Sequence, residues 1–324
     1  MKSMILSRPC SIFLRLSMTC LISAALTLQI RSGAGASILA KSLEPKANSN
    51  SNPIAGPEPT TPAPVAYRSV VIKGEEGRKF LSKLRSEIGE EKMAALLKLN
   101  RLDAQHLRSG VTLAIPEKVD ELSAFSPFPH RVEAVSEIPK LVLVSLRVQA
   151  FGAYESGRLV RWGPVSSGKK TTPTPAGLYH TNWKSKTTRS SINEDWLLPW
   201  YFNLDSQRGI SFHQYDLPGY PASHGCLRLL ADDAAWIYGW ADQWTLSTDR
   251  RRVEAYGTPV IVFGKYDYGK QAPWKHLATD YSAASVTGSE LEEAIRPDLP
   301  IIREKARKGF RELTAAMTKP AGQE

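Results

Sequence analysis

Two of the six histidines, His213 and His224, fall within thirteen residues of Cys226. The stretch reads Ile210-Ser211-Phe212-His213-Gln214-Tyr215-Asp216-Leu217-Pro218-Gly219-Tyr220-Pro221-Ala222-Ser223-His224-Gly225-Cys226-Leu227-Arg228-Leu229. A cysteine beside imidazole supplies a thiol nucleophile and a general base. A free thiol of pKa ~8.5 is only ~3% thiolate at neutral pH, and the thiolate is the reactive form. Complete ionisation gains about thirtyfold, roughly 2 kcal/mol, whereas enzymic acceleration needs roughly 8 kcal/mol or more. Oriented donors for an oxyanion, at ~3 kcal/mol each, and positioning must supply the remainder.

Neighbouring residues fit that need. Gly225 has no Cβ, so the backbone can turn sharply and leave its own N–H and that of Cys226 accessible. His224 precedes Cys226 by two positions, and in an extended segment both side chains point the same way. Arg228 continues that parity and offers a fixed positive charge for a substrate carboxylate. A lone histidine or a buried cysteine is more often structural, and it is the combination that points to chemistry. His213, His224 and Cys226 are also competent zinc ligands. No other feature calls for a metal, and His-x-Cys is an unusual ligand spacing, so the expectation is a site with neither metal nor cofactor.

These side chains need elements to aim them. Phe212-His213 ends an apparent strand, and Leu217 to Pro221 forces a turn that brings Cys226 back toward His213. The main domain begins near Ile138. Lys140 to Gln149 reads as a first strand reaching Phe151, and Gly157 turns the chain into a second strand at Leu159-Val160-Arg161-Trp162. Short strands follow at Gly177 to Trp183, Gly209 to His213 and Thr258 to Phe263. One long helix starts near Asp232, with Trp236, Trp240 and Trp244 as a core-facing stripe. Many short strands and one main helix indicate a mostly-β sandwich or barrel-like domain over 138–265.

Further towards the N-terminus, residues 67–118 read as strand, two helices and strand. Val70-Val71-Ile72 opens the unit. Phe80, Leu81, Leu84 and Ile88, then Met93, Leu96 and Leu97, recur at helical spacing, and Val111 to Ile115 closes it before Pro116. The pieces Val71-Ile72-Lys73-Gly74, Leu96 to Leu102 and Leu107 to Pro116 resemble the lysin motif, a family that binds the glycan of peptidoglycan and chitin. Glu75-Glu76 stand where that family usually has an Asp-Thr pair. The resemblance implies sugar binding, and a structural helper of the same βααβ fold is the alternative.

The flanks are of other kinds. Lys2, Arg8 and Arg15, the apolar run Leu16 to Ile30, and Gly33-Ala34-Gly35-Ala36 make residues 1–36 a secretory signal peptide, with an uncleaved anchor as the alternative. Neither Cys10 nor Cys20 has the small-residue context of a lipidation site. No later segment approaches the ~18 apolar residues needed to span a bilayer. Residues 37–66, dense in Pro45, Pro53, Pro57, Pro59, Pro62 and Pro64, form an extended linker. Residues 119–137 form a second linker. Residues 266–324 look like a basic helical appendage, with Ile302, Ala306, Phe310, Leu313 and Met317 on one face. Such a helix packs on its own domain or contacts an anionic membrane surface.

Composition agrees. In 324 residues, 42% apolar content excludes disorder throughout, and three cysteines exclude a disulfide scaffold. The formal charge of +10 includes Lys2, Arg8, Arg15 and Arg31, and residues 1–36 hold no acid, so the mature chain carries +6. That balance gives no reason to expect a nucleic-acid partner. Export also leaves Cys226 as the single cysteine.

Ser223-His224-Gly225-Cys226-Leu227-Arg228, preceded by His213, resembles the signature of the L,D-transpeptidase catalytic domain family (YkuD-type). Gln149, Thr172-Pro173-Thr174-Pro175-Ala176-Gly177 and Gly257-Thr258-Pro259-Val260 are similar to its outer pieces. The resemblance implies Cys226 as nucleophile on the third residue of a peptidoglycan stem peptide, releasing D-Ala. His213 would be the base, its other ring nitrogen held by the Gln214 carbonyl. Ser223, His224 and Gly225 would shape the site, and Arg228 would support the donor peptide. The thioester would pass to an amine, to a protein or to water. All of this implies a periplasmic or cell-envelope location.

Overall fold

The computed structural model describes residues 66–120 and 125–306. The N-terminal apolar run, the Pro-rich stretch to Val65, and Phe310, Leu313 and Met317 lie outside the described residues.

The chain opens with β1 (Tyr67–Val71), α1 (Gly74–Leu99) and β2 (Thr112–Pro116). The first helix is interrupted at Gly89, whose φ of 79° and ψ of 171° are non-helical, so it has two limbs. Glycine adopts such a conformation without a Cβ penalty. Strands β1 and β2 pair antiparallel, and the helical limbs bury Leu84, Met93, Leu96, Leu97 and Leu99. Glu75 and Glu76 lie exposed in the first helical turn, where acids favour the helix dipole.

Two sheets follow. One is formed by β3 (Lys140–Ser145), β4 (Ala150–Glu155), β5 (Arg158–Pro164), β6 (Gly177–His180) and a late strand. The other comprises β7 (Lys184–Arg189), β8 (Leu197–Asp205), β9 (Ile210–Gln214) and β10 (Leu227–Leu229). Helix α2 (Ala231–Trp240) and the short pair β11 (Thr245–Leu246) and β12 (Val253–Ala255) lead to the late strand, β13 (Pro259–Phe263). The orders are β5-β4-β3-β13-β6 and β10-β9-β8-β7. The described protein is mostly β, as its strand pattern predicts.

Strand parity explains the packing. Val142, Val144, Phe151, Ala153, Val260 and Val262 face the second sheet's Phe202, Leu204, Phe212, Leu227 and Leu229 in one core. Their neighbours Leu141, Leu143, Ala150, Tyr154, Ile261 and Phe263 point the other way, into a second core. A strand buried on both faces is why Leu141-Val142-Leu143-Val144 has no polar alternation.

The second core shows where the described part of the C-terminal segment packs. Val286, Leu291 and Ile295 of the segment around α3 (Gly288–Ile295), and Ile302 beyond it, cover that outer face together with Phe128, Val132, Val135 and Ile138. Ala272, Trp274, Leu277 and Ala284 complete the core of the βααβ unit. A two-sided sheet and a small unit both need apolar covers, and this segment supplies them.

Two local expectations also change. The first strand ends at Ser145, and the chain reverses through 146–149, where Gln149 has φ of 46°. Gln149 therefore sits in the reversal between β3 and β4 instead of ending one long strand. Helix α2 stops at Trp240, so Trp244 is not on it, while Trp236 and Trp240 stack at 4.9 Å against the main core.

Candidate active site

Strands β9 and β10 are parallel, with Leu227 opposite Phe212, Arg228 opposite His213 and Leu229 opposite Gln214. Parallel neighbours need a crossover, and residues 215–226 provide it without a helix. This register sets Cys226, immediately before β10, beside Ser211. Cys226, His213, His224, Ser223, Arg228 and Tyr215 all line one cleft. Ser190, Ile192, Trp196 and Leu198, from the β7–β8 connection and the start of β8, complete it.

His213 is 3% exposed. Its Nδ1–H donates to the Gln214 carbonyl at 3.0 Å, which leaves Nε2 to act as an acceptor. Burial pushes its pKa down to about 4, against the Gln214 contact that raises it, and Arg228 adds to the lowering. Burial pushes the Cys226 thiol up, opposed by Ser211 and Arg228. At neutral pH the resting pair is therefore thiol and neutral imidazole. The hydrogen-bond partners of the thiol are Gly209 O at 3.1 Å and Ser211 Oγ at 3.3 Å; His213 is not among them.

The turn before the nucleophile is internally braced. Ser223 Oγ–H donates to the Cys226 carbonyl at 2.6 Å and accepts the Gly225 N–H at 3.1 Å. This corrects the expectation that the Gly225 N–H faces the substrate, because a hydroxyl of the same turn already accepts it. Gly225 instead supplies a φ of 114° that residues with a Cβ rarely adopt. His224 and Cys226 reach the same cleft through this turn, not through extended-strand parity.

A second layer holds the turn. Lys169 N–H and Thr172 Oγ1–H donate to the Ser223 carbonyl, and Thr174 Oγ1–H donates to that of Gly225. Ser223 N–H donates to the Ser167 carbonyl, while the Gln149 side chain both accepts the Ser167 N–H and donates to Ser167 Oγ. The Gln149 and Thr-Pro-Thr-Pro pieces noted in the sequence thus buttress the Ser223–Cys226 turn. Lys169 Nζ also donates to His224 Nε2 at 2.9 Å, which requires a neutral His224 ring. Partial burial lowers the His224 pKa, and Lys169 and Arg228 lower it further.

Aromatic rings frame the cleft. The Trp196 ring lies 5.6 Å from that of His224 and 6.4 Å from that of Tyr215. The Arg228 guanidinium sits over Tyr215 at 4.5 Å. Sequence reading missed Ser211, Lys169, Trp196 and Tyr215. Only Ser211 carried a usable signal, since it shares a strand face with His213. Among the described residues no three of His, Cys, Asp and Glu cluster as metal ligands.

The arrangement can carry out nucleophilic acyl transfer: a thiol, an imidazole with a free nitrogen, a backbone N–H at a sharp turn and a fixed cation, around one cleft. Residues 139–262 match the family model of the L,D-transpeptidase catalytic domain. No curated protein matches the chain. Among solved structures, an L,D-transpeptidase from Stackebrandtia nassauensis is similar at 25% identity, covering 40% of this chain and 57% of that one, with a TM-score of 0.32. One from Mycobacterium smegmatis shows 21% identity, 39% and 59% coverage, and a TM-score of 0.32. A third, described as an L,D-transpeptidase in complex with imipenem, shows 22% identity, 39% and 59% coverage, and a TM-score of 0.31. The chain thus spans less than two thirds of the length of these structures.

Proposed function

We propose that this protein, whose residues 139–262 match the family model of the L,D-transpeptidase catalytic domain, is an exported peptidoglycan L,D-transpeptidase with Cys226 as its nucleophile. The observation that carries the reading is the shared cleft of Cys226, His213 and Arg228 behind the braced Gly225 turn.

The first step follows from the neutral resting pair. Cys226 rotates from Gly209 toward His213, and its proton passes to His213 Nε2. The sulfur attacks the carbonyl of the third stem residue, an S–C bond forms, and the carbonyl π pair moves to oxygen, where the Cys226 N–H meets it. Collapse breaks the C–N bond, and His213 returns the proton to the departing D-Ala amine. An acceptor amine then attacks the thioester carbonyl and its proton passes to His213; the C–S bond breaks, the departing Cys226 sulfur takes that proton back, and the new C–N bond is a 3→3 cross-link or a protein attachment. Arg228, with no acidic partner among the described ion pairs, holds a donor carboxylate. His224 and Lys169 border the donor channel. No metal or cofactor enters any step. The partners are stem peptides, and the 67–118 unit adds contact with glycan strands.

The test is incubation of purified protein with disaccharide-tetrapeptide. The expected result is a Cys226 thioester lacking D-Ala, followed by cross-linked dimers. Tripeptide without dimers would make water the acceptor, giving an L,D-carboxypeptidase or cross-link hydrolase. No adduct and no turnover would leave a non-enzymatic wall-binding protein, and unchanged turnover in Cys226→Ala would remove Cys226 as the nucleophile.

A further inference from the structure

The Cys226 thiol has one proton and two polar neighbours. Its sulfur is 3.1 Å from the Gly209 carbonyl oxygen and 3.3 Å from Ser211 Oγ. A carbonyl only accepts, so the S–H is directed to Gly209. The sulfur has no second proton, so Ser211 must be the donor in the other contact. Ser211 is 0% exposed, and no other partner of its hydroxyl is found among the described hydrogen bonds. Its backbone N–H bears on the same sulfur.

This is an odd use of a buried hydroxyl. Buried donors usually meet a strong acceptor, because leaving one poorly satisfied is costly. A neutral thiol is a weak acceptor. Once ionised it becomes a strong one, and hydrogen bonds to charged groups are about twice as strong as neutral ones. The Ser211 contact is therefore weak in the resting state and strong in the reactive state. Differential stabilisation of this kind lowers a barrier.

The register makes the geometry obligatory. Leu227 pairs with Phe212, so the preceding residue, Cys226, falls beside Ser211. Ser211 and His213 are two apart on β9 and share its face. The sulfur can turn from Gly209 toward His213 while Ser211 stays behind it.

We infer that Ser211 is a further catalytic residue, whose hydroxyl holds the Cys226 thiolate between deprotonation and S–C bond formation. This deepens the acyl-transfer reading and rests on it. The S–H proton moves to His213 Nε2, the electron pair stays on sulfur and becomes the S–C bond, and the Ser211 proton remains on Ser211 throughout.

The test compares Ser211→Thr with Ser211→Val, which match in shape and differ in the hydroxyl. Alkylation by iodoacetamide is followed against pH on the peptide that contains Cys226. Ser211→Val is expected to react about tenfold more slowly at neutral pH, with its midpoint moved upward, as fits the loss of one charge-assisted hydrogen bond. Ser211→Thr is expected within about threefold of the wild type. Identical profiles for Thr and Val, or faster alkylation of Val at neutral pH, would overturn the inference. If neither branched side chain is accommodated, Ser211→Ala, which only removes an atom, decides by the same slowing or its absence. A clear Thr–Val difference in a protein that never acylates with tetrapeptide would uphold the thiolate contact and sink the substrate reading instead.

Discussion

His213 and Arg228 are directly opposed in the parallel pair β9–β10. The same Tyr215 ring lies under the Arg228 guanidinium at 4.5 Å and meets the His213 ring edge-on at 5.9 Å. A fixed cation therefore neighbours the imidazole that, in the proposed mechanism, gains a proton during attack. The arrangement opposes a standing imidazolium and favours one that forms only while the thiol is being consumed. Burial is the larger influence, with Arg228 reinforcing it.

The acid limb of Cys226 acylation should consequently fall near pH 4, since His213 is pushed down to about 4. A surface histidine would place it near ~6.5. Stability should follow the same group. His213 and His180 both have folded pKa values of about 4, so between there and the unfolded value the unfolded chain binds more protons. Stability is then complete above ~6.5 and declines as pH falls toward the folded pKa. Urea midpoints at neutral and mildly acidic pH check the second statement, and rates of Cys226 acylation by disaccharide-tetrapeptide across the same range check the first. A limb near the ordinary histidine value would refute the buried-base assignment.

Gly168 has a different kind of importance. A Cβ there would run into the Thr172 carbonyl and lie 2.6 Å from the Thr174 nitrogen. Those residues belong to the loop that supports the carbonyls of Ser223 and Gly225. Gly168→Ala should thus destabilise by about 1–3 kcal/mol, as overpacking does, and lower acylation at least tenfold. Thermal melting together with the rate of thioester formation from disaccharide-tetrapeptide measures both. A variant with wild-type acylation would show that the brace is dispensable.

What was legible in the sequence depended on distance along the chain. Cys226 and His213 lie thirteen residues apart with a forced turn between them, so a short window contained them, and the Gln214 carbonyl was implied by the family resemblance. The two-sided strand β3 was legible from its unbroken apolar run. Its second cover was not, because Val286, Leu291 and Ile302 come from a segment whose basic residues suggested a solvated appendage. The Gly225 N–H was misjudged because its acceptor, Ser223 Oγ, depends on the rotamer of a neighbouring side chain. Lys169 and Trp196 meet His224 only after the fold closes, and no periodicity announces such contacts.

Arg101 offers a test of how the 67–118 unit is joined to the β domain. Its guanidinium is 1% exposed, and burial pulls its pKa down to about 9. Nε–H donates to the Val148 carbonyl at 2.8 Å, and Nη1 donates to those of Lys98 and Leu99. The rings of Trp162 and Trp274 flank it at 5.6 and 5.2 Å. Lysine cannot reproduce this planar fork. Arg101→Lys should cost about 2–4 kcal/mol, because carbonyls on both sides of the junction lose a charged donor. Denaturant unfolding measures the loss, and a cost under 1 kcal/mol would mean that the rings alone hold the junction.

Asp103 connects that same unit to the active-site crossover. Its Oδ2 accepts the Leu217 N–H at 2.7 Å, and its own N–H donates to the Leu217 carbonyl at 3.0 Å. Oδ1 meets the His106 N–H and Nδ1, and Leu102 bridges Pro218 alongside. The clamped crossover carries Tyr215, which contacts both His213 and Arg228, and Tyr220, whose carbonyl accepts Ser166 Oγ–H. If the 67–118 unit served only to attach the protein to glycan, Asp103→Ala would leave acylation by a free tetrapeptide, which carries no glycan, untouched. The clamp instead implies a maximal acylation rate about tenfold lower, with Asp103→Asn closer to wild type because its amide oxygen can still accept from Leu217. A Leu291→Ala control, remote in the second core, separates this from general destabilisation: it should lower the melting temperature without the same loss of rate. Equal rates for Asp103→Ala and wild type on free tetrapeptide would reduce the unit to an anchor.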